Sequence, residues 1–397
     1  GGLWNPHIVF PLHAQIGGYK WTCALAEAGY KTSLVGLWEL GGCTPADFGF
    51  EQHISRAELA KEREEHVGKV GFKNGYFGES DPAPLEYNNT HITARRAIEE
   101  LRRLHESGSP WLLFVDCPEP HLPCRPSAPF DTMYDPAEVP KWAGFDEDFE
   151  GKPYIRRQQL YNWGLEGRSW EEWSKTVALY YGMVSQCDDA IGSVLAELDR
   201  LGERENTIIV YTSDHGDMCG SHRLIDKHYN MYDDLVRVPL IISWKGHIEP
   251  RRVGGFSHGC LDVGPTLLGL VGIEYPEGAF HGADLSRALL QGCDTGLSYA
   301  VSTYNGQQFG LFCERMITDG KLKYVWNLTD IDELYDLELD PGELVNRIND
   351  DSYAERVKEL RLMLYEELRR CGDPIIGWTA HQLTEGKKLR GRGIYTI

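Results

Sequence analysis

The sequence predicts an α/β fold, a doubly wound and mostly parallel sheet, with a small C-terminal α+β subdomain. Three observations carry this. Amphipathic helical stretches alternate with short, continuously apolar strands between residues 22 and 272. Strands of that composition belong in a sheet covered on both faces, and the helices between them supply the crossovers. After about residue 297 the texture changes to consecutive strand-like runs and one amphipathic helix. The expected organisation is therefore a main α/β unit over 1–296 and a C-terminal subdomain over 297–397.

Each element has its own signal. "TCALAEAGY" (22–30) reads as a short helix stopped by Gly29, followed by the strand "KTSLVG" (31–36). In "THITARRAIEELRRLHESG" (90–108), Ile92, Ala94, Ala97, Ile98, Leu101 and Leu104 fall mostly on one face, and Gly108 ends the helix. The strand "WLLFVD" (111–116) follows. Residues 117–174, rich in Pro, aromatics and charge, read as a long irregular excursion over the site face. Helical spacing returns over 174–202, where Val177, Tyr180, Val184, Cys187, Ile191, Val194, Leu198 and Leu201 recur and Gly202 stops the run. "NTIIVYTS" (206–213) and "RVPLIISW" (237–244) are strands, and "LDVGPTLLGLVG" (261–272) is a helix. In the last quarter, "LSYAVSTYN", "FGLFCERMITDG" and "KLKYVWNL" read as antiparallel strands with "DGK" (319–321) as a hairpin turn, and a helix runs from about Ser352 to Arg370.

Composition narrows the function classes. The 397 residues carry a formal charge of −20, with 42% hydrophobic residues, enough for a sizeable core. A surface this acidic repels nucleic-acid phosphates and anionic lipid, so neither is an expected partner. A small anionic substrate is compatible only where a few cations focus positive potential in a cleft. The ten cysteines show no C-x-x-C pair, which fits reduced thiols and a cytoplasmic location. No run approaches the length of a membrane span, and "GGLWNPHIVF" lacks the basic region and apolar core of a signal peptide.

One junction concentrates chemistry. The apolar strand at 206–213 runs straight into Asp214, His215, Asp217, His222 and Lys227. Asp and His after a strand are ordinary loop residues, but ligands of open α/β sheets bind beyond the C-terminal strand ends. A carboxylate and an imidazole there suit a divalent cation, and Lys227 offers a compact positive charge for an anion.

The segment "TIIVYTSDHGDMCGSHRLIDKHYNMYDDLVRVPLIISWKG" resembles the metal-binding segment of the sulfatase family, within the alkaline phosphatase superfamily. "AEAGYKTSLVGLWELGG" resembles the family's AGY-x-T-x-x-x-GKWHLG stretch, "FVDCPEPHLPCRPSAPFDTMYDP" its P-H-x-P loop, and "ELYDLELDPGELVN" (333–346) its C-terminal signature. The four motifs occur in the family's order. The resemblance implies that Asp214 and His215 ligate one divalent cation, calcium first, with magnesium or manganese as alternatives. It implies that Lys227 contacts the sulfate or phosphate oxygens and that His121 stands near the leaving-group oxygen. Asp217 and His222 are expected to support the site without touching substrate.

Two departures from the family pattern matter. The family's nucleophile, a Cys converted to formylglycine or a Ser within C-x-P-S-R, has no match. In family order it precedes "GLWNPH". "CTPAD" (43–47) and "CRPSA" (124–128) both lack the Arg at the fifth place and are set aside. The Lys and His of GKWHLG are replaced by Leu37 and Glu39. Glu39 would repel a sulfate unless protonated or turned to the metal, or it recognises a cationic part of the substrate or acts as a base. The expected function is metal-dependent hydrolysis of a small sulfate ester, a sulfated sugar or an aryl or alkyl sulfate. The alternatives are a phosphodiester or phosphonate monoester hydrolase, or an inactive homologue acting as a binding or structural protein. A homo-oligomer is allowed.

Overall fold

The structure, a computed structural model, describes residues 18–227, 229–306, 312–390 and 394–396. The stretch "GGLWNPHIVF" lies outside the described residues, as does the start of the strand expected from 309. In chain order the first elements are α1 (Trp21–Glu27), β1 (Lys31–Gly36), β2 (Gln52–Ser55), α2 (Arg56–Val67), α3 (Asn89–Glu106) and β3 (Trp111–Val115). The strands form a parallel sheet in the order β2-β1-β3, with Leu34 opposite both His53 and Phe114. The pair β2–α2 was not legible in the sequence, although Ser55 and Glu58 form a reciprocal cap at the start of α2. Val35, Ile54, Leu59 and Ile92 pack beneath the sheet, so the apolar stripe read along α3 is its buried face.

The excursion after β3 contains α4 (Tyr154–Asn162), which sequence reading missed, before the long α5 (Trp170–Arg200). Next come β4 (Ile209–Thr212), α6 (Asp233–Val236), β5 (Leu240–Ser243), α7 (Cys260–Val271) and α8 (Ser286–Gln291). β4 and β5 pair antiparallel, an exception within the mostly parallel arrangement expected. Parallel strands need a crossover of a dozen or more residues that packs on the sheet, usually a helix. The connection here is long enough, but among its described residues it holds a 3-10 turn at Ser221–Arg223 and the four-residue α6, and no helix long enough to pack across the sheet. Among the described residues β3 is an edge, not hydrogen-bonded to β4. Phe114, Tyr211 and Ile241 are 44%, 43% and 59% exposed, so full coverage of both faces is not met on these strands.

The C-terminal strands are β6 (Ala300–Asn305), β7 (Cys313–Thr318), β8 (Leu322–Asn327) and β9 (Glu333–Asp336), an antiparallel sheet in sequence order. The expected turn at 319–321 joins β7 to β8, with Asp319 N–H donating to Leu322 O. Two helices follow, α9 (Ala354–Arg370) and α10 (Ile376–Thr384). The period-2 alternation of β8 explains how this sheet is buried on both sides. Leu322, Tyr324 and Trp326 pack with Leu360, Leu364 and Leu368 of α9. The intervening Lys323 and Val325 face the other way, toward residues 231–233. Among the described residues no helix is long and apolar enough to cross a membrane.

Candidate anion and metal site

Two loops meet at the site. The first leaves β3 and carries His121; the second leaves β4 and carries Asp214, His215 and Lys227. Although 106 positions apart in sequence, Lys227 Nζ lies 2.7 Å from His121 Nε2. His121 Nδ1 is 2.8 Å from Leu122 O. A carbonyl can only accept, so Nδ1 carries the proton, and Nε2 presents its lone pair to the Lys227 ammonium. The rings of His121 and His215 meet edge to face with centroids 6.0 Å apart. This contact brings the loop after β3 and the loop after β4 together. Asp226 Oδ1 stands 3.5 Å from Lys227 Nζ and 3.9 Å from His121 Nε2.

The same tautomer logic bears on the metal. His215 Nδ1 is 2.7 Å from Gly216 O and donates to it, so Nε2 keeps its lone pair for a cation. That Nε2 is 3.4 Å from Asp214 Oδ2. One carboxylate oxygen and one imidazole nitrogen so placed fit a divalent cation by donor type. Among the described residues no group of three or more His, Cys, Asp or Glu side chains converges as a metal cage, so these two would hold a cation from one side.

Asp116, missed at the sequence level, belongs to the same surroundings. It follows β3 as Asp214 follows β4, and the same argument about charge at a strand end would have found it. Burial pushes its carboxyl up; the Leu37 N–H, 3.0 Å away, opposes this, and the charges of Asp214 and Glu39 add to it. Glu39 is exposed, with no hydrogen bond or ion pair to the described residues. Leu37 and Asp116 line a cavity of about 150 Å³ with Arg56, Asn89 and Pro118.

The loop carrying Lys227 is strained and held from outside. Cys219, His222, Arg223, Asp226 and Tyr229 all have φ between 37° and 62°. Each such residue costs about 1–3 kcal/mol and persists only where its surroundings over-determine it. Asp217, half-buried, accepts from the N–H groups of Cys219 (2.8 Å) and Asp226 (3.2 Å). Burial raises its carboxyl, as does the charge of Asp226. His222 Nδ1 bonds Glu147 Oε2 at 2.8 Å, and its ring stacks on Tyr232 with centroids 3.7 Å apart. Burial pushes the His222 imidazole down. Lys152 pairs with the same Glu147 carboxylate, and Lys323 of β8 reaches Met231 O (2.9 Å) and Asp233 Oδ1 (2.6 Å).

The structure thus joins His121, Lys227, His215 and Asp214 at one place and leaves Glu39 beside it, facing solvent. Neither rejected cysteine gains a nucleophile's setting. Cys124 is buried and its thiol is pushed up by burial, while Cys43 Sγ donates to Leu40 O at 3.5 Å.

Comparison with known proteins finds relatives along most of the chain. The Sulfatase family model matches residues 23–273, and the model for the C-terminal region of N-sulphoglucosamine sulphohydrolase matches 220–370. An uncharacterized sulfatase of Escherichia coli is 30% identical over 362 residues, covering 88% of this chain and 71% of that protein. An arylsulfatase of Clostridium perfringens is 31% identical over 289 residues, 70% of this chain and 57% of that protein. The chain therefore spans between 57% and 71% of the length of these two relatives. The phosphonate monoester hydrolase of Agrobacterium radiobacter superposes with a TM-score of 0.69 at 23% identity, covering 94% of this chain and 84% of that one. At that identity the likeness concerns the fold.

Proposed function

The chain belongs to the sulfatase family, within the alkaline phosphatase superfamily, and on that premise we propose that its site hydrolyses the sulfate ester of a small molecule, an aryl or alkyl sulfate or a sulfated sugar. The observation that carries the reading is the Lys227–His121 pair standing against His215. An ammonium backed by an imidazole, in an otherwise acidic protein, is a place where an ester anion gains a charge-assisted hydrogen bond. Lys227 holds an ester oxygen, and the proton between Nζ and His121 Nε2 is the one available to the departing oxygen. Asp226 keeps Lys227 oriented. Asp214 and His215 would hold the divalent cation, calcium first, which when bound lowers the negative charge an attacking group meets. Glu39, on the rim, takes a hydroxyl or a cationic part of the substrate.

A second reading is hydrolysis of phosphodiesters or phosphonate monoesters on the same scaffold. It draws support from Leu37 and Glu39, which put an apolar group and a carboxylate where the resemblance leads one to expect two donors. Fold does not decide between the two. The test is kcat/KM of the full-length gene product, with calcium or manganese, on the sulfate, the phosphodiester and the phosphonate of one nitrophenol. A preference for sulfate supports the first reading, and the reverse preference replaces it with the second. No turnover of any of the three, with metal bound, would leave an inactive homologue.

A further inference from the structure

We propose that Gln159 is a positioning residue for Lys227, and that α4 passes the grip of the C-terminal sheet on to the anion site. This inference rests on the reading of Lys227 and His121 as the anion-holding pair.

Gln159 is fully buried, and its Nε2 donates to the backbone carbonyl of Lys227 at 3.0 Å. Three residues earlier on the same face of α4 is Arg156, also buried. Its Nη2 lies 2.5 Å from Glu314 Oε2 of β7 and 2.5 Å from Glu333 Oε2 of β9. Glu333 is held in turn by Tyr335 OH (2.6 Å) and Asn327 Nδ2 (2.9 Å). One end of the strut is therefore anchored by two carboxylates of a four-stranded sheet, and the other holds the peptide from which the Lys227 side chain springs. An anchor is needed here because the nearby Asp226 and Tyr229 are in the left-handed region, at φ 62° and 54°. A segment with that much strain relaxes when a restraint is removed. Lys227 Nζ must stay within hydrogen-bond reach of His121, so a small backbone shift would part them.

The reporter is the 15N resonance of His121 Nε2 in the chain as it stands, with inorganic sulfate affinity measured by calorimetry as the second readout. Gln159→Met keeps the length and removes the donor. Gln159→Glu keeps the shape, removes the donor when ionised, and serves as the second variant. The expected result is that Nε2 moves to the position of an imidazole nitrogen without a donor, and that sulfate binds about tenfold more weakly. In Gln159→Glu, at a pH where the introduced carboxyl is ionised, the resonance is expected to move as it does in Gln159→Met. An unchanged Nε2 resonance in a variant that has lost thermal stability would mean that Gln159 only packs, and would overturn the proposal. A shifted resonance in a protein that never binds sulfate upholds the positioning role while removing the anion reading.

Discussion

Replacing Lys227 by Met tests the anion site most directly. The methionine keeps most of the aliphatic stem, so packing of the partly buried side chain is little disturbed. What disappears is one ammonium, the donor 2.7 Å from His121 Nε2 and the charge 3.5 Å from Asp226 Oδ1. A hydrogen bond to a charged group contributes about 1.5–3 kcal/mol. At about 1.4 kcal/mol per decade, inorganic sulfate should bind roughly 10- to 150-fold more weakly. Asp226 then faces the anion without its cation, which places the expectation toward the upper end. His121 accepts from Lys227, so His121→Ala and Lys227→Met should not be additive. A coupling of about 0.5–3 kcal/mol is expected for groups in contact. Titration calorimetry of sulfate on wild type, both single variants and the double variant supplies all four corners. Unchanged affinity in Lys227→Met, or additivity within about 0.3–0.5 kcal/mol, would refute the reasoning.

Other parts of the molecule can be probed in the same way. Asp214→Asn or His215→Ala should weaken calcium or manganese binding by about tenfold or more, read by calorimetry, because each removes one of two donors that lie 3.4 Å apart. Glu314 is fully buried, and burial pushes its carboxyl up to about 7, against the pull of Arg156. Its folded pKa lies above the unfolded value, so its stabilising contribution is complete below about pH 4.5 and is lost as pH rises through about 7. Glu314→Gln should accordingly flatten the dependence of stability on pH between those limits in urea melts, and an unaltered slope would contradict it. Trp173, fully buried among Leu224, Met218 and Phe145, should cost about 3–5 kcal/mol when cut to Ala, measured by the same melts.

Much of the fold was legible because it is written in local pattern. The stripe of α3, the long run of α5 and the turn at 319–321 each follow from spacing a few residues long. What escaped were elements without such spacing. α4 carries Arg156, Gln159 and Leu160 on its buried side, so its inward face is half polar and shows no apolar stripe. β9 begins with Glu333, which reads as solvent-facing until its partner Arg156 is known. The antiparallel return of β4 to β5 was not legible because an apolar strand does not record the direction of its neighbour.

The site divides the same way. The order of residues alone gives the residue types, a carboxylate and an imidazole at the end of one strand and a lysine thirteen positions beyond Asp214. Asp214 and His215 are placed by the strand end itself, a local feature. Folding is what brings Lys227 to His121, joins Asp116 and Asp226 to them and leaves Glu39 outside. A lysine in a loop reads the same whether it is solvated or aimed at a ligand. The difference lies in buried charges brought from distant segments, Glu147, Arg156, Lys323 and Glu333, whose desolvation is offset by the opposite charges they meet. Such pairing depends on three-dimensional proximity, and no local period encodes it.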